Sequence, residues 1–238
     1  VSAVLECIGL YKNFGKRQVL RDVSIKAQSG QVVGILGPNG AGKTTAFKSI
    51  LGIVIPDKGE IFLNDERITH LPIHERAKRG IAYLPQESSI FRGLAVKENL
   101  EVILRLNGKS GAELKEISER LMDDFGIAHL KDQQADLISG GEKRRLEFAR
   151  TLTLLPHFIL LDEPFVGIDP ITVKDIQKMI LKLKERSIGV IVTDHDVNSL
   201  RKVVDVLYVL NKGEVIASGL PGEVLRDPKV IENYLGAD

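Results

Sequence analysis

The feature that most constrains this chain is the octapeptide Gly37-Pro38-Asn39-Gly40-Ala41-Gly42-Lys43-Thr44, followed by a second threonine, Thr45. It satisfies the pattern G-x-x-x-x-G-K-[ST] at every specified position. The apolar run Val32-Val33-Gly34-Ile35-Leu36 before it predicts a buried strand. Lys43 to Leu51 after it predicts a helix, stopped by Gly52. Strand, glycine-rich loop and helix in that order aim several backbone N–H groups and a positive helix end at a phosphate chain. Lys43 is then placed to reach the terminal phosphates, and the Thr44 hydroxyl to ligate Mg²⁺. The stretch implies an α/β fold that takes a nucleoside triphosphate.

Composition narrows the class. Hydrophobic residues at 43% and charged ones at 27% of 238 residues suit one large soluble domain, or a domain with a modest lobe. Lys and Arg number 33 against 32 Asp and Glu, a net charge of +1, so no nucleic-acid partner is expected. The lone cysteine, Cys7, permits no internal disulfide and fits a reducing cytosol. No apolar run approaches the ~18 residues of a membrane span. Val1 to Glu6 has neither the basic flank nor the apolar core of a secretion signal. Any membrane role is expected to come through a partner.

Residues 4–30 read as short strands around a polar, turn-like Tyr11–Lys16 that carries two aromatics, Tyr11 and Phe14. Either ring could stack on a nucleotide base or cover the sheet. Pro72 opens a short helix ended by Gly80; His70 and His74 flank it and read as solvated surface residues. Ile81–Leu84 is a strand that runs into Pro85-Gln86. Ser88 to Leu94 then reads as a surface loop displaying Ile90 and Phe91. From Val96 to Ile127 the apolar spacing is helical, broken by Gly108 and Gly111.

Ser139-Gly140-Gly141-Glu142 has capping-box spacing at the start of the next predicted helix. A cap does not need glycine at the first two helical positions, where it weakens the helix. The pair suggests that an anion approaches the backbone closely there. Phe158-Ile159-Leu160-Leu161 predicts a strand buried on both faces, with Asp162 and Glu163 directly at its carboxyl end. Two carboxylates so placed suit Mg²⁺ and an attacking water. Val190–Val192 repeats the design and delivers Thr193, Asp194 and His195 at the same end, where open α/β sheets bind ligands.

Taken together, these residues resemble the nucleotide-binding subunit of an ABC transporter over essentially the whole chain. The octapeptide is similar to that family's Walker A loop, Gln86 to its Q-loop and Ile138–Glu142 to its signature. Phe158–Glu163 is similar to Walker B, Gly167-Ile168-Asp169 to the D-loop and His195 to the switch histidine. Ile138 and Glu142 depart from the family's usual leucine and glutamine, leaving Ser139 and the glycines intact. The resemblance implies a mainly parallel core sheet with an N-terminal antiparallel β subdomain (1–86 and 139–238) and a helical lobe (87–138). It implies ATP and Mg²⁺ as cofactors, with Thr44, Gln86 and Asp162 at the metal and Glu163 and His195 at the reacting phosphate. Phe14 is favoured as the base-stacking aromatic. It further implies a homodimer that closes on ATP, with Ser139, Gly140 and Gly141 reaching the partner's nucleotide. Two integral membrane permease subunits are expected to dock near Phe91 and Arg92, holding the chain at the cytoplasmic face of the inner membrane. A narrower resemblance, carried by His74–Leu100, Phe158–Pro170 and Tyr234-Leu235-Gly236, is to the ATPases of lipopolysaccharide export. The alternatives are ATPases of branched-chain amino acid importers and non-transport ABC ATPases.

Overall fold

The computed structural model describes residues 2–236. In chain order it begins with β1 (Val4–Phe14), β2 (Arg17–Gln28), β3 (Val32–Leu36), α1 (Lys43–Leu51), β4 (Lys58–Leu63), β5 (Glu66–Arg67), α2 (Ile73–Lys78) and β6 (Ile81–Leu84). Three helices follow: α3 (Val96–Leu106), α4 (Gly111–Asp124) and α5 (Gly140–Leu152). The chain then forms β7 (Phe158–Asp162), α6 (Pro170–Glu185), β8 (Gly189–Thr193), α7 (Val197–Leu200), β9 (Val206–Asn211) and β10 (Glu214–Gly219). It ends on α8 (Pro221–Val224), α9 (Pro228–Val230) and a π-helical turn, Ile231–Leu235. Two compact units result: one joins the residues up to Ile81 with those from His157, and the other is Ala82–Pro156. The second unit therefore takes in 139–156, the segment that begins with Ser139, as well as 87–138.

In the first unit an antiparallel sheet, ordered β2-β1-β4-β5, lies early in the chain. Its hairpin is longer than the sequence suggests. Tyr11 to Phe14, predicted as part of a turn, continues β1, and Phe14 faces Arg17 across only Gly15-Lys16. Gly15, at φ 59, supplies the positive angle that a two-residue hairpin takes at its first central position. The run is polar because one side of an antiparallel sheet can face water, which mimics turn composition.

The core sheet of this unit runs β10-β9-β3-β8-β7. β3 lies parallel between β8 and β9, and β7 is parallel to β8. Every residue of β3 and β8 is buried, as are the first four of β7. Burial on both faces is why these strands read as unbroken apolar runs. Gly80, just before β6, tethers the start of β7: its carbonyl accepts from the His157 and Phe158 N–H groups at 2.8 and 3.0 Å.

Helix α1 is held at its C-terminal end by a residue the sequence does not advertise. Arg76 is 1% exposed. Its Nη1 donates to the Ser49 and Ile50 carbonyls at 2.7 and 2.6 Å, its Nη2 to Thr69 O at 2.8 Å and its Nε to Leu71 O at 2.8 Å. Ser49 and Ile50 carry two of the last carbonyls of α1, which have no partner within the helix. Four carbonyls and the negative helix end thus replace a carboxylate as compensation for the buried cation. Burial still lowers the guanidinium to about 10. Gly52 makes room for it: a Cβ there would stand 2.7 Å from Arg76 Nε and 2.6 Å from Leu71 O.

In the second unit α3, α4 and α5 bury Leu100, Leu104, Leu114, Leu121, Met122, Leu146 and Phe148, and Phe125 stacks on Phe148 with centroids 6.4 Å apart. Here one expectation needs correction. Ile90 is not displayed on a surface loop; it is 8% exposed, while Phe91 beside it is 41% exposed. The loop is pinned rather than free. Buried Asn99 accepts from Phe91 N–H at 2.8 Å and donates to Phe91 O at 3.1 Å, and Glu147 accepts from Ser89 N–H at 3.0 Å.

Arg76→Met should test the α1 anchor. It leaves the Ile50, Thr69 and Leu71 carbonyls without that donor, at ~1 kcal/mol or more each, while Ser49 O keeps the Gly52 N–H. The expected loss is about 3 kcal/mol or more, read as a lower urea midpoint at unchanged m value. A midpoint within error of the parent would show that the carbonyls are satisfied otherwise.

Candidate functional site

The site begins where β3 ends. Gly37 stands at φ 148, and a Cβ there would lie 2.1 Å from Leu210 O; Gly42 stands at φ 103, with its Cβ position 2.8 Å from Val19 O. Only glycine lets the loop pass so close to two neighbouring strands. Helix α1 then starts at Gly42 with no side-chain cap. Its first N–H groups are therefore left for a ligand, the condition for anion binding at a helix N-terminus.

A cavity of about 290 Å³ opens over this loop, lined by Asn39, Gly40, Ala41, Gly42, Lys43, Thr44 and Thr45 together with Phe14, Arg17, Val19 and Glu163. Phe14 is 52% exposed at the hairpin tip, with Lys12 Nζ 5.6 Å from its ring centroid. Tyr11 does not line the cavity; Lys58 lies over its ring at 6.0 Å. Lys43 is 4% exposed and its ammonium donates to Gly37 O at 2.6 Å and Pro38 O at 3.1 Å. Burial pushes its pKa down, opposed by the negative charges of Glu163, Asp194 and Asp162. A buried ammonium held only by carbonyls retains its charge for a stronger acceptor, which a phosphate oxygen supplies.

Asp162 and Glu163 leave β7 in different ways. Asp162 continues the strand, and its Oδ1 accepts from Thr193 Oγ1 at 2.7 Å. Glu163 turns to φ 44, an angle a non-glycine residue adopts at a cost, and its N–H donates to Thr193 O at 2.9 Å. The turn separates the two carboxylates, so that Glu163 reaches the cavity wall.

Asp194, fully buried, is the organising residue that the sequence reading missed. Its Oδ1 accepts from the N–H groups of His195 at 2.7 Å and Asp196 at 2.8 Å, and its Oδ2 from Phe165 N–H at 3.2 Å. One carboxylate thus joins the loop after Glu163 to the loop that carries His195. Burial raises its pKa, against the three N–H groups and the His195 charge, which hold it down. The His195 imidazole is half exposed, with Nδ1 3.9 Å from Asp194 Oδ1, beyond hydrogen-bond reach. The signal was available: Thr193-Asp194 stands at the tip of β8 as Asp162-Glu163 does at β7.

Gln86, Ser139, Gly140 and Gly141 belong to the second unit. Gln86 is exposed after β6. Ser139 caps α5 reciprocally with Glu142: Ser139 N–H donates to Glu142 Oε2 at 2.8 Å and Ser139 Oγ accepts from Glu142 N–H at 3.4 Å. Ser139 Oγ also donates to Glu142 Oε2 at 2.7 Å, and these bonds hold the Glu142 carboxyl below its usual range. A Cβ on Gly140 or Gly141 would meet nothing within 4 Å. Nothing inside the chain demands glycine at either place.

A glycine-rich loop joining a parallel strand to a helix, with an acidic pair at the end of a second parallel strand two places along the same sheet, defines a nucleotide-binding protein of the P-loop class. Comparison with known proteins narrows the class. The model of the ABC transporter family matches residues 20–166, and a model of branched-chain amino acid ATP-binding cassette transporters matches residues 214–238. The chain is 48% identical over 237 residues to the lipopolysaccharide export system ATP-binding protein LptB of Escherichia coli strain K12, covering 99% of this chain and 98% of that one. Among solved structures, the ADP conformation of MJ1267, an ATP-binding cassette of an ABC transporter, superimposes with a TM-score of 0.88 at 30% identity over 99% of both chains. A dimeric post-hydrolysis state of the cassette MJ0796, bound to ADP and Pi, matches with a TM-score of 0.78 at 25% identity, covering 91% of this chain and 98% of that one. The chain belongs to the ABC transporter family, as its ATP-binding and ATP-hydrolysing subunit. ABC ATPases dimerise and partner with permease subunits. No helix among the described residues is long and apolar enough to cross a membrane.

The glycines separate by what they do for the fold. Gly37→Ala should lower the melting temperature by 10 °C or more, on the order of 3 kcal/mol or greater, because its Cβ overlaps a backbone carbonyl. Gly141→Ala should leave the melting temperature equal or higher, since alanine favours a helix by about 0.5–1 kcal/mol over glycine. Circular dichroism melts of the two variants check the contrast.

Proposed function

We propose that this chain is the ATPase of a lipopolysaccharide exporter, closing as a homodimer around two ATP molecules to drive extraction from the inner membrane toward the outer one. The observation that carries the cargo reading is the near full-length identity to relatives of that name. On this reading the chain sits at the cytoplasmic face of the inner membrane. The match of residues 214–238 to branched-chain amino acid cassettes favours a second reading, an importer ATPase. The membrane proteins that copurify with the chain distinguish the two.

In the proposed site the loop amides of Gly37–Thr45 and the Lys43 ammonium hold the β- and γ-phosphates, while Phe14 stacks on the base. Thr44, Gln86 and Asp162 offer the oxygen ligands that suit Mg²⁺, and Thr193 fixes the Asp162 carboxylate that would face it. When bound, Mg²⁺ would supply neutralisation of the phosphate charge. Glu163 orients the attacking water and accepts its proton, and His195 contacts the γ-phosphate. Ser139, Gly140 and Gly141 serve the partner's nucleotide: the open space over both glycines suits an approaching triphosphate, and a two-fold pair supplies each site from both chains. Residues 87–138 act as the lobe that meets the permeases.

Glu163→Gln removes the base and keeps every phosphate contact. It should slow hydrolysis by ~10²–10⁴-fold and accumulate an ATP-bound dimer, seen by light scattering. A variant that stays monomeric with ATP and Mg²⁺ would sink the sandwich.

For docking we propose Phe91 and Arg92 as the permease contact. Phe91 is 41% exposed under the Arg150 guanidinium, 5.0 Å from its centroid, and Arg150 Nη1 is buried with no hydrogen-bond partner. An exposed ring beside an unsatisfied cation suits a partner helix that brings an acceptor. Phe91→Ala should cost the isolated chain no more than about 1 kcal/mol while abolishing copurification with the membrane subunits. Unimpaired copurification would refute the assignment.

A further inference from the structure

His195 is held in an unusual way, and the last described segment of the chain supplies half of the grip. Its position lies between β8 and the short helix α7, so neither of its backbone groups enters a strand ladder. Its N–H donates instead to the Asp194 carboxylate at 2.7 Å. Its carbonyl accepts from the Tyr234 hydroxyl at 2.8 Å, across 39 residues of sequence. Among the described residues the imidazole has no hydrogen bond that would orient it; the Asp194 carboxylate lies 3.9 Å from Nδ1. Where the ring stands is therefore set by its backbone, through these two side chains.

Tyr234 can serve that role because its own segment is anchored. Val230, at the end of α9, is fully buried. Asn233 accepts from Asn211 Nδ2 at 3.3 Å, at the end of β9, and donates to Lys229 O at 2.8 Å. The tyrosine ring is half-buried, and its hydroxyl is pushed up to about 12 by burial and by the charges of Asp194 and Asp196. It remains protonated, and so remains a donor, throughout the range in which the protein works.

We propose that Tyr234 is a positioning residue for hydrolysis: by holding the His195 carbonyl it fixes where the imidazole meets the γ-phosphate, and it ties that placement to the C-terminal segment. The inference rests on the reading of His195 as a phosphate-contacting residue. It makes the C-terminal segment part of the hydrolytic machinery, so that displacing Ile231–Leu235 would weaken hydrolysis without touching the nucleotide.

Tyr234→Phe tests this, because it deletes one hydroxyl and keeps the ring. Steady-state ATP hydrolysis at varied ATP, by the purified full chain with Mg²⁺, is compared for the parent, Tyr234→Phe, His195→Ala and the double variant. Losing one hydrogen bond that orients the histidine should lower kcat about threefold to tenfold, with KM for ATP within about twofold and the melting temperature within a few degrees. His195→Ala should lose about 100-fold or more. With the imidazole gone there is nothing left to position, so the double variant should be no slower than His195→Ala alone. Parent-like hydrolysis by Tyr234→Phe alongside a crippled His195→Ala overturns the inference and leaves the histidine reading intact. The same fold loss in both backgrounds also overturns it, since the hydroxyl would then act elsewhere, as does a kcat loss matched by a large fall in melting temperature. Near-parent activity of His195→Ala overturns the histidine reading itself, and the positioning role falls with it.

Discussion

Helix α1 leaves its first amides unpaired, and a helix kept open at one end must be secured at the other. Arg76 does this. It takes carbonyls from the end of α1, from the Thr69 strand end and from the turn before α2, binding three pieces of backbone with one side chain. The cost of burying the cation is offset because the acceptors are carbonyls whose own burial would otherwise go uncompensated. Were α1 free to shift along its axis, the loop amides and Lys43 would move with it. Loop geometry at one end of the helix therefore depends on a salt-free cationic cap at the far end.

The opposite wall of the site follows a similar economy of groups. Asp162 is oriented by Thr193, Glu163 N–H by Thr193 O, and Asp194 draws together Phe165, His195 and Asp196. β7 and β8 thus deliver a linked set of polar groups rather than independent side chains. The shared Asp194 carboxylate gives the loop after Glu163 and the loop that carries His195 the same reference point. The left-handed turn at Glu163 belongs to the same arrangement: Glu163 lines the cavity while Asp162 bonds to Thr193.

Two groups in the second unit are satisfied poorly by the chain alone. Gly140 and Gly141 weaken α5 without relieving any contact, and Arg150 Nη1 is buried without an acceptor. ABC ATPases work with other chains, a second ATPase and the permeases, so a group left unsatisfied within this chain alone need not stay so in the assembly. Ser139 meanwhile makes a complete capping box with Glu142. The cap and an anion site are compatible, since the cap occupies only part of the N–H set at the helix start.

Much was determined by the sequence itself. The nucleotide loop, the buried parallel strands and the carboxylates at their ends are local patterns, because glycine spacing, apolar runs and strand-end polarity act within a few residues. Lys43, Thr44, Glu163 and Asp194 stand within such patterns, even though the role of Asp194 was not legible there, whereas Phe14 was singled out over Tyr11 by family resemblance alone. The tertiary structure decided what depends on partners distant in the chain. The polar stretch Tyr11–Phe14 becomes strand because β2 pairs with it, and Ile90 is buried because Asn99 and Glu147 fasten its loop. An arginine on a short, polar-looking helix gives no sign that four carbonyls await it. Nor does a tyrosine near the end of the described chain reveal that it holds a carbonyl 39 residues away. Burial and hydrogen-bond partners are properties of the folded backbone, which brings together groups that no local pattern relates.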